Sequence, residues 1–218
     1  MTPEIQQRLR TWIGGGTLVL LAFWSYGATN YLRLEYEVNP VAYDNFDVVV
    51  LGDSITEGLG STYGSDYVSL LREHTGVKIR NSGIRNHETV DALARIQTDV
   101  IDHDPDIAIV LLGGNDYIHR VPEETTFANL EMIVDRLTEE NIQVLLLGVS
   151  GGVYSDKYRD HFDALAEEKN IAYIPNVLEG ILGKSKHLKD PLHPNDMGHR
   201  FIFERVAPEL DRLLEIYY

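Results

Sequence analysis

Three runs in this chain, VVVL (48–51), IAIVLL (107–112) and VLLL (144–147), are apolar at every position. A strand with one wet face alternates, so unbroken runs of this length read as strands covered on both faces. Runs of strand length occupy 47–51, 77–80, 107–112, 143–147 and 171–174. Between them lie helical stripes: Val90, Leu93, Ile96, Val100 and Ile101, then Leu130, Ile133, Val134 and Leu137. A last stripe runs through Ile202, Phe203, Val206, Leu210, Leu213 and Leu214. Such spacing is that of helices with one apolar face. Five strands alternating with helices predict an α/β domain over residues 46–218, with a parallel sheet as the middle layer of an αβα sandwich.

Residues 1–32 are of another kind. From 11 to 32 (TWIGGGTLVLLAFWSYGATNYL) no side chain is charged, and about 20 residues suffice to cross a bilayer. Arg8 and Arg10 precede the segment, Glu35 and Glu37 follow it, and Trp12, Trp24, Tyr26 and Tyr31 stand near its ends. That arrangement predicts a membrane anchor with its N-terminus in the cytoplasm and the domain outside, periplasmic or extracellular. A cleaved signal peptide, which would release a secreted protein, and a buried domain helix are the alternatives; Tyr26-Gly27-Ala28 is a poor cleavage site. Residues 33–45, with Asn39-Pro40 favouring a turn, read as a linker. The chain has no cysteine, which excludes disulfides and thiolate chemistry. Its net charge of −15 argues against a nucleic-acid partner.

Parallel sheets place their sites beyond the carboxyl ends of the strands. Here those ends read Gly52-Asp53-Ser54, Asn81-Ser82-Gly83, Gly113-Gly114-Asn115-Asp116 and Gly148-Val149-Ser150. Ser54-x-x-Glu57 matches a capping box, and Ser54 is equally a candidate nucleophile. Serine needs a base to take its proton, and a histidine held by an acid is the usual one. Asp-x-x-His occurs three times, as Asp116/His119, Asp190/His193 and Asp196/His199. Asp190 and His193 sit in a loop of turn residues before the last helix, where both side chains can fold toward one point. His199 falls inside that helix, and His119 is the lesser candidate.

The Ser54 N–H, the Gly83 N–H and the Asn115 amide could serve as donors to an oxyanion. Their ordinary readings are a cap, a tight turn and a turn residue. Asp53 is expected to accept hydrogen bonds from nearby loop N–H groups. Ser150, in Gly148-x-Ser150-x-Gly152, is a rival nucleophile, but the next helix begins only near 155. His187, Asp190, His193 and His199 match no zinc spacing, and no P-loop or dinucleotide motif is present, so neither metal nor cofactor is expected.

With these residues in view the chain resembles the GDSL-type, or SGNH, hydrolases, over about residues 46–215. VVVLGDSITEG looks like the first block of that family, which carries the nucleophile, with Ile55 where the family has leucine. Asn81-Ser82-Gly83 is similar to the second block, whose glycine gives an oxyanion N–H, and Gly113-Gly114-Asn115-Asp116 resembles the third, whose asparagine is another donor. Asp190-Pro191-Leu192-His193 looks like the last block. The resemblance implies a flavodoxin-like five-stranded sheet and no cofactor. It also implies hydrolysis of carboxylic esters or thioesters, with lysolipids among the substrates, as in the thioesterase, lysophospholipase and arylesterase branch. An O-acetyl carbohydrate esterase and a non-catalytic membrane-anchored binding module of the same fold are the alternative readings.

Overall fold

The computed structural model of the chain describes residues 47–150 and 156–216. The expected anchor or signal segment (1–32) and the linker (33–45) lie outside these residues. Among the described residues no helix is long and apolar enough to cross a membrane.

Five strands form one parallel sheet: β1 (Val48–Gly52), β2 (Ile79–Gly83), β3 (Ile107–Leu111), β4 (Gln143–Leu147) and β5 (Ala172–Ile174). Their order is β2-β1-β3-β4-β5, with every neighbouring pair parallel. The strand order reverses between β1 and β3, which opens a crevice at their carboxyl ends. Among the described residues seven α-helices accompany the sheet: α1 (Ser54–Glu57), α2 (Tyr67–Thr75), α3 (Thr89–Asp99), α4 (Gly114–His119), α5 (Glu123–Glu139), α6 (Asp156–Lys169) and α7 (Asp196–Leu214). The packing of α7 on α2, of α3 on α5 and of α5 on α6 makes the outer layers.

The central strands justify the apolar runs. Every residue of β1 and β3 is buried, and Leu130, Ile133, Val134 and Leu137 of α5 are fully covered. Burial of such side chains is worth roughly 1.5–3 kcal/mol each. Two expectations need correction. Strand β2 lies two residues later than its apolar start suggests, because it is an edge strand whose polar groups find local partners. Asn81 Nδ2 donates to the Thr56 carbonyl at 2.6 Å, and Ser82 Oγ to the Asp99 carbonyl at 2.9 Å. In α3, Val90 is 51% exposed and the inner face is Thr89, Ala92 and Ile96. Thr89 takes the inner place because its hydroxyl and N–H both donate to the buried Asp116 carboxylate.

Candidate active site

The first strand delivers Ser54 to the crevice. Asp53, not Ser54, is the N-cap of α1: its Oδ1 accepts the Ile55 N–H at 2.9 Å. The expected capping box is therefore absent, since Glu57 turns instead to the Arg85 guanidinium and N–H. This frees the Ser54 hydroxyl, which stands 3.1 Å from His193 Nε2. Gly52 has no room for a side chain, because a Cβ there would run into Thr56 on the first turn of α1.

A self-braced loop brings the histidine. Asp190 Oδ1 accepts the N–H groups of Leu192 and His193, both at 2.9 Å. Lys189 N–H donates to the His193 carbonyl at 2.8 Å, and Leu188 pairs with Pro194 as an antiparallel bridge. Asn195 closes the loop: its Oδ1 caps α7 at Met197 and Gly198, and its Nδ2 donates to the Lys186 carbonyl. The result places His193 Nδ1 at 2.8–2.9 Å from the two Asp190 oxygens. A carboxylate accepts, so Nδ1 carries the proton and Nε2 presents a lone pair to the Ser54 hydroxyl.

The two acids differ. Desolvation raises the Asp190 carboxyl, but the Leu192 and His193 N–H groups and the His193 ring outweigh it and hold the pKa at about 2. Burial pushes Asp53 up to about 6, opposed by the Ile55 N–H and the His193 ring and reinforced by Asp116.

Asn115 is the second residue of α4, beyond β3. Its Nδ2 donates to the His87 carbonyl at 2.9 Å, and an amide nitrogen has a second hydrogen to give. Tyr158 braces the start of α4 by donating to the Gly113 carbonyl at 2.9 Å.

Gly83 is a correction. Its N–H is donated to Asn81 Oδ1 at 2.9 Å. The reason is strand alternation: the next amide, Ile84, donates inward to Gly52, so the Gly83 N–H points to the outer edge of β2. Gly83 is glycine because a Cβ would strike the Thr56–Glu57 backbone. From 83 to 89, the amides of Gly83, Ile84, Arg85, His87, Glu88 and Thr89 all donate. Among the described residues Asn86 alone in that stretch has no acceptor for its N–H, and its φ of 66° turns the peptide out of line with its neighbours. The residue type gives only a faint signal, since asparagine tolerates the left-handed region better than most.

The other candidates are bonded or buried in surroundings of their own. Asp116 is 1% exposed and bonded to Thr89, while His119 pairs with Glu88 at 2.7 Å. Asp196 binds the Thr62 N–H and hydroxyl. His199 is buried, stacked on Tyr67 and accepting its N–H at 3.4 Å. Ser150 is buried beyond β4, and the helix described after it covers Asp156–Lys169. Among the described residues no group of three or more His, Asp or Glu is arranged to hold a metal ion. Beside the loop a cleft of about 530 Å³ is lined by Tyr117, Ile118, Val121, Tyr158 and Leu192, with Arg120 and Glu123.

Comparison with known proteins identifies the family and the fold. Residues 50–201 match the GDSL-like lipase/acylhydrolase family. The chain is 29% identical over 174 residues to an arylesterase of Vibrio mimicus, covering 75% of this chain and 87% of the relative. It is 27% identical over 178 residues to esterase TesA of Pseudomonas aeruginosa, covering 77% and 89%. The crystal structure of TesA superposes with a TM-score of 0.72 at 26% identity, covering 76% of this chain and 98% of that one.

Proposed function

The chain belongs to the GDSL-like lipase/acylhydrolase family and hydrolyses ester bonds, and from that premise we propose that Ser54, His193 and Asp190 are its catalytic triad. One observation carries this reading: the Ser54 hydroxyl is 3.1 Å from an imidazole nitrogen whose far side is held by Asp190. His193 Nε2 takes the Ser54 proton as Oγ attacks the ester or thioester carbonyl. The oxyanion is received by the N–H groups of Ser54 and Asn86 and by the Asn115 amide. The C–O or C–S bond then breaks, the leaving group takes the proton from His193, and water attacks the acyl-Ser54 by the same route.

Asp190 stays ionised throughout, orienting the ring and stabilising the imidazolium. The apolar cleft beside Leu192 suits an acyl chain or an aromatic leaving group, and Arg120 at its edge suits an anionic one. The relatives' names, arylesterase and esterase, support a substrate range of simple esters, with thioesters and lysolipids as the extension. Residues 11–32 would hold the domain at a membrane, outside the cytoplasm; fractionation of the full chain against a chain starting near residue 34 tests this. The test of the triad is labelling with a fluorophosphonate. The intact protein is expected to be modified at Ser54 and Ser54→Ala to be neither modified nor active on p-nitrophenyl butyrate. An active Ser54→Ala protein overturns the reading and points to Ser150.

A further inference from the structure

Arg95, on α3, is not part of any motif that led to the site, yet its guanidinium reaches three segments that build it. The side chain is 12% exposed. Nη2 donates to the Gly52 carbonyl at 3.0 Å, at the end of the strand that delivers Ser54. Nη1 donates to the Ser82 carbonyl at 2.9 Å and to the Asp99 carboxylate at 2.7 Å. Nε donates to His87 Nδ1 at 3.2 Å. His87 in turn holds Asn115, whose Nδ2 donates to the His87 carbonyl at 2.9 Å. The Gly52 carbonyl also accepts the Ile84 N–H at 3.1 Å, so the Arg95 bond is a second tie at the point where β1 and the β2–α3 loop meet.

We propose that Arg95 is a positioning residue for oxyanion formation, setting the Asn115 amide relative to the Ser54 N–H through its bonds to Gly52 and His87. This rests on the triad reading above. A fork of fixed planar donors is needed, because four acceptors lie in different directions around one head group. A lysine ammonium would carry the same charge with only three donors on one atom, and cannot span Gly52, Ser82 and His87 together. Asp99 balances the charge, so the guanidinium is not an uncompensated ion in a largely covered place. His87 contributes a lone pair at Nδ1, since a guanidinium N–H can only donate. A small misplacement of an oxyanion donor is costly because its bond is worth most in the transition state.

The test compares Arg95→Lys and Arg95→Gln with the unaltered protein, counting reactive sites by fluorophosphonate titration. Per titrated site, kcat for p-nitrophenyl butyrate is expected to fall about 10- to 100-fold, with KM changed by less than about threefold. Inhibition by butylboronic acid, which forms a tetrahedral adduct on serine, should weaken in parallel. In an Asn115→Ala background the Arg95→Lys loss should shrink to about twofold or less, since the misplaced donor is already gone. An unchanged kcat per titrated site, or losses that simply multiply, would overturn the proposal. If the Arg95 variants do not fold, His87→Leu carries the same test: it removes the Nδ1 acceptor, should lower kcat several-fold, and an unchanged kcat would count against the idea. Failure of the triad reading is distinguishable, because it appears as activity in Ser54→Ala.

Discussion

Gly60 lies against the Pro194 carbonyl, and a side chain at position 60 would collide with it and crowd the Cβ atoms of Lys189 and His193 at 3.2 and 3.3 Å. The turn after α1 and the loop carrying His193 therefore touch backbone to backbone, which is how Ser54 and His193 are kept in reach. The φ of 99° at Gly60 also excludes most side chains. Gly60→Ala is expected to move the His193 loop and lower kcat by roughly 10- to 100-fold. Folding of the sheet, read by circular dichroism, should survive. Wild-type kcat in this variant would show that the contact does not set the Ser54–His193 distance.

Removing one oxyanion donor usually costs 10²–10³ in turnover, and Asn115→Ala is expected to fall in that range with KM little changed. Asn115→Asp should lose at least as much despite its similar size, because its carboxylate removes the donor and also repels the oxyanion. Steady-state kinetics on p-nitrophenyl butyrate decide it, and a loss confined to KM would exclude Asn115 from the transition state.

At Asn86 the proposed donor is the backbone N–H, so the side chain is dispensable. Asn86→Gly should keep activity within about threefold, since glycine reaches a φ of 66° without strain. Asn86→Val should lose activity and about 1–3 kcal/mol of stability, because a β-branched residue is a poor fit there. Measuring kcat beside urea unfolding separates the two effects. A large activity loss in Asn86→Gly would mean that the side chain itself takes part.

These residues also show how far sequence reading reaches. Strands β1, β3 and β4 are legible because coverage on both faces is written as unbroken apolar runs. Edge strand β2 carries Asn81 and Ser82, whose polar groups bond to Thr56 and Asp99, so its apolar pattern ends before the strand does. Ser54, Asp190 and His193 are legible because the order of strand end and turn-rich loop limits where they can meet. The direction of the Gly83 N–H is not legible, because a strand N–H reverses direction with each residue and no pattern in the sequence marks which amide faces inward. Asn86 carries its signal in the sign of φ, and Arg95 in a reach across four acceptors, neither of which composition records.

Asp53 gives a stability change with a definite sign. Its carboxyl has a pKa of about 6 in the folded chain against an ordinary value of 3.8. Between those values the folded state keeps a proton that the unfolded state has released, so stability falls as pH rises through the window and the cost is complete above pH 6. The difference sets an upper bound of about 3 kcal/mol. Asparagine cannot ionise and can still accept the Ile55 N–H. Asp53→Asn should therefore gain stability relative to the unaltered protein between about pH 4.5 and pH 7.5 in urea unfolding. Asp190 runs the other way: its depressed pKa of about 2 supplies stability above pH 3.8 that is lost on acidification toward 2. A pH-independent difference between Asp53→Asn and wild type would show that Asp53 does not hold a proton in the folded state.

Asp116, the neighbour of Asn115, is held by a buried hydrogen-bond network. It is 1% exposed, and Thr89 gives it both an N–H at 3.0 Å and a hydroxyl bond. The Thr126 hydroxyl adds a longer contact at 3.4 Å, and Asn129 Nδ2 donates to the Thr89 hydroxyl at 3.1 Å. A buried carboxyl group is costly without such partners, and here they join α3, α4 and α5 near the Asn115 turn. Thr89→Val keeps the shape and the backbone N–H but removes the hydroxyl, leaving both Asp116 and Asn129 short of a partner. The expected loss is about 1–3 kcal/mol in urea unfolding. Thr89→Ser, which keeps the hydroxyl, should recover most of it. Equal losses in the two variants would show that the hydroxyl bond to Asp116 is not what sets the stability here.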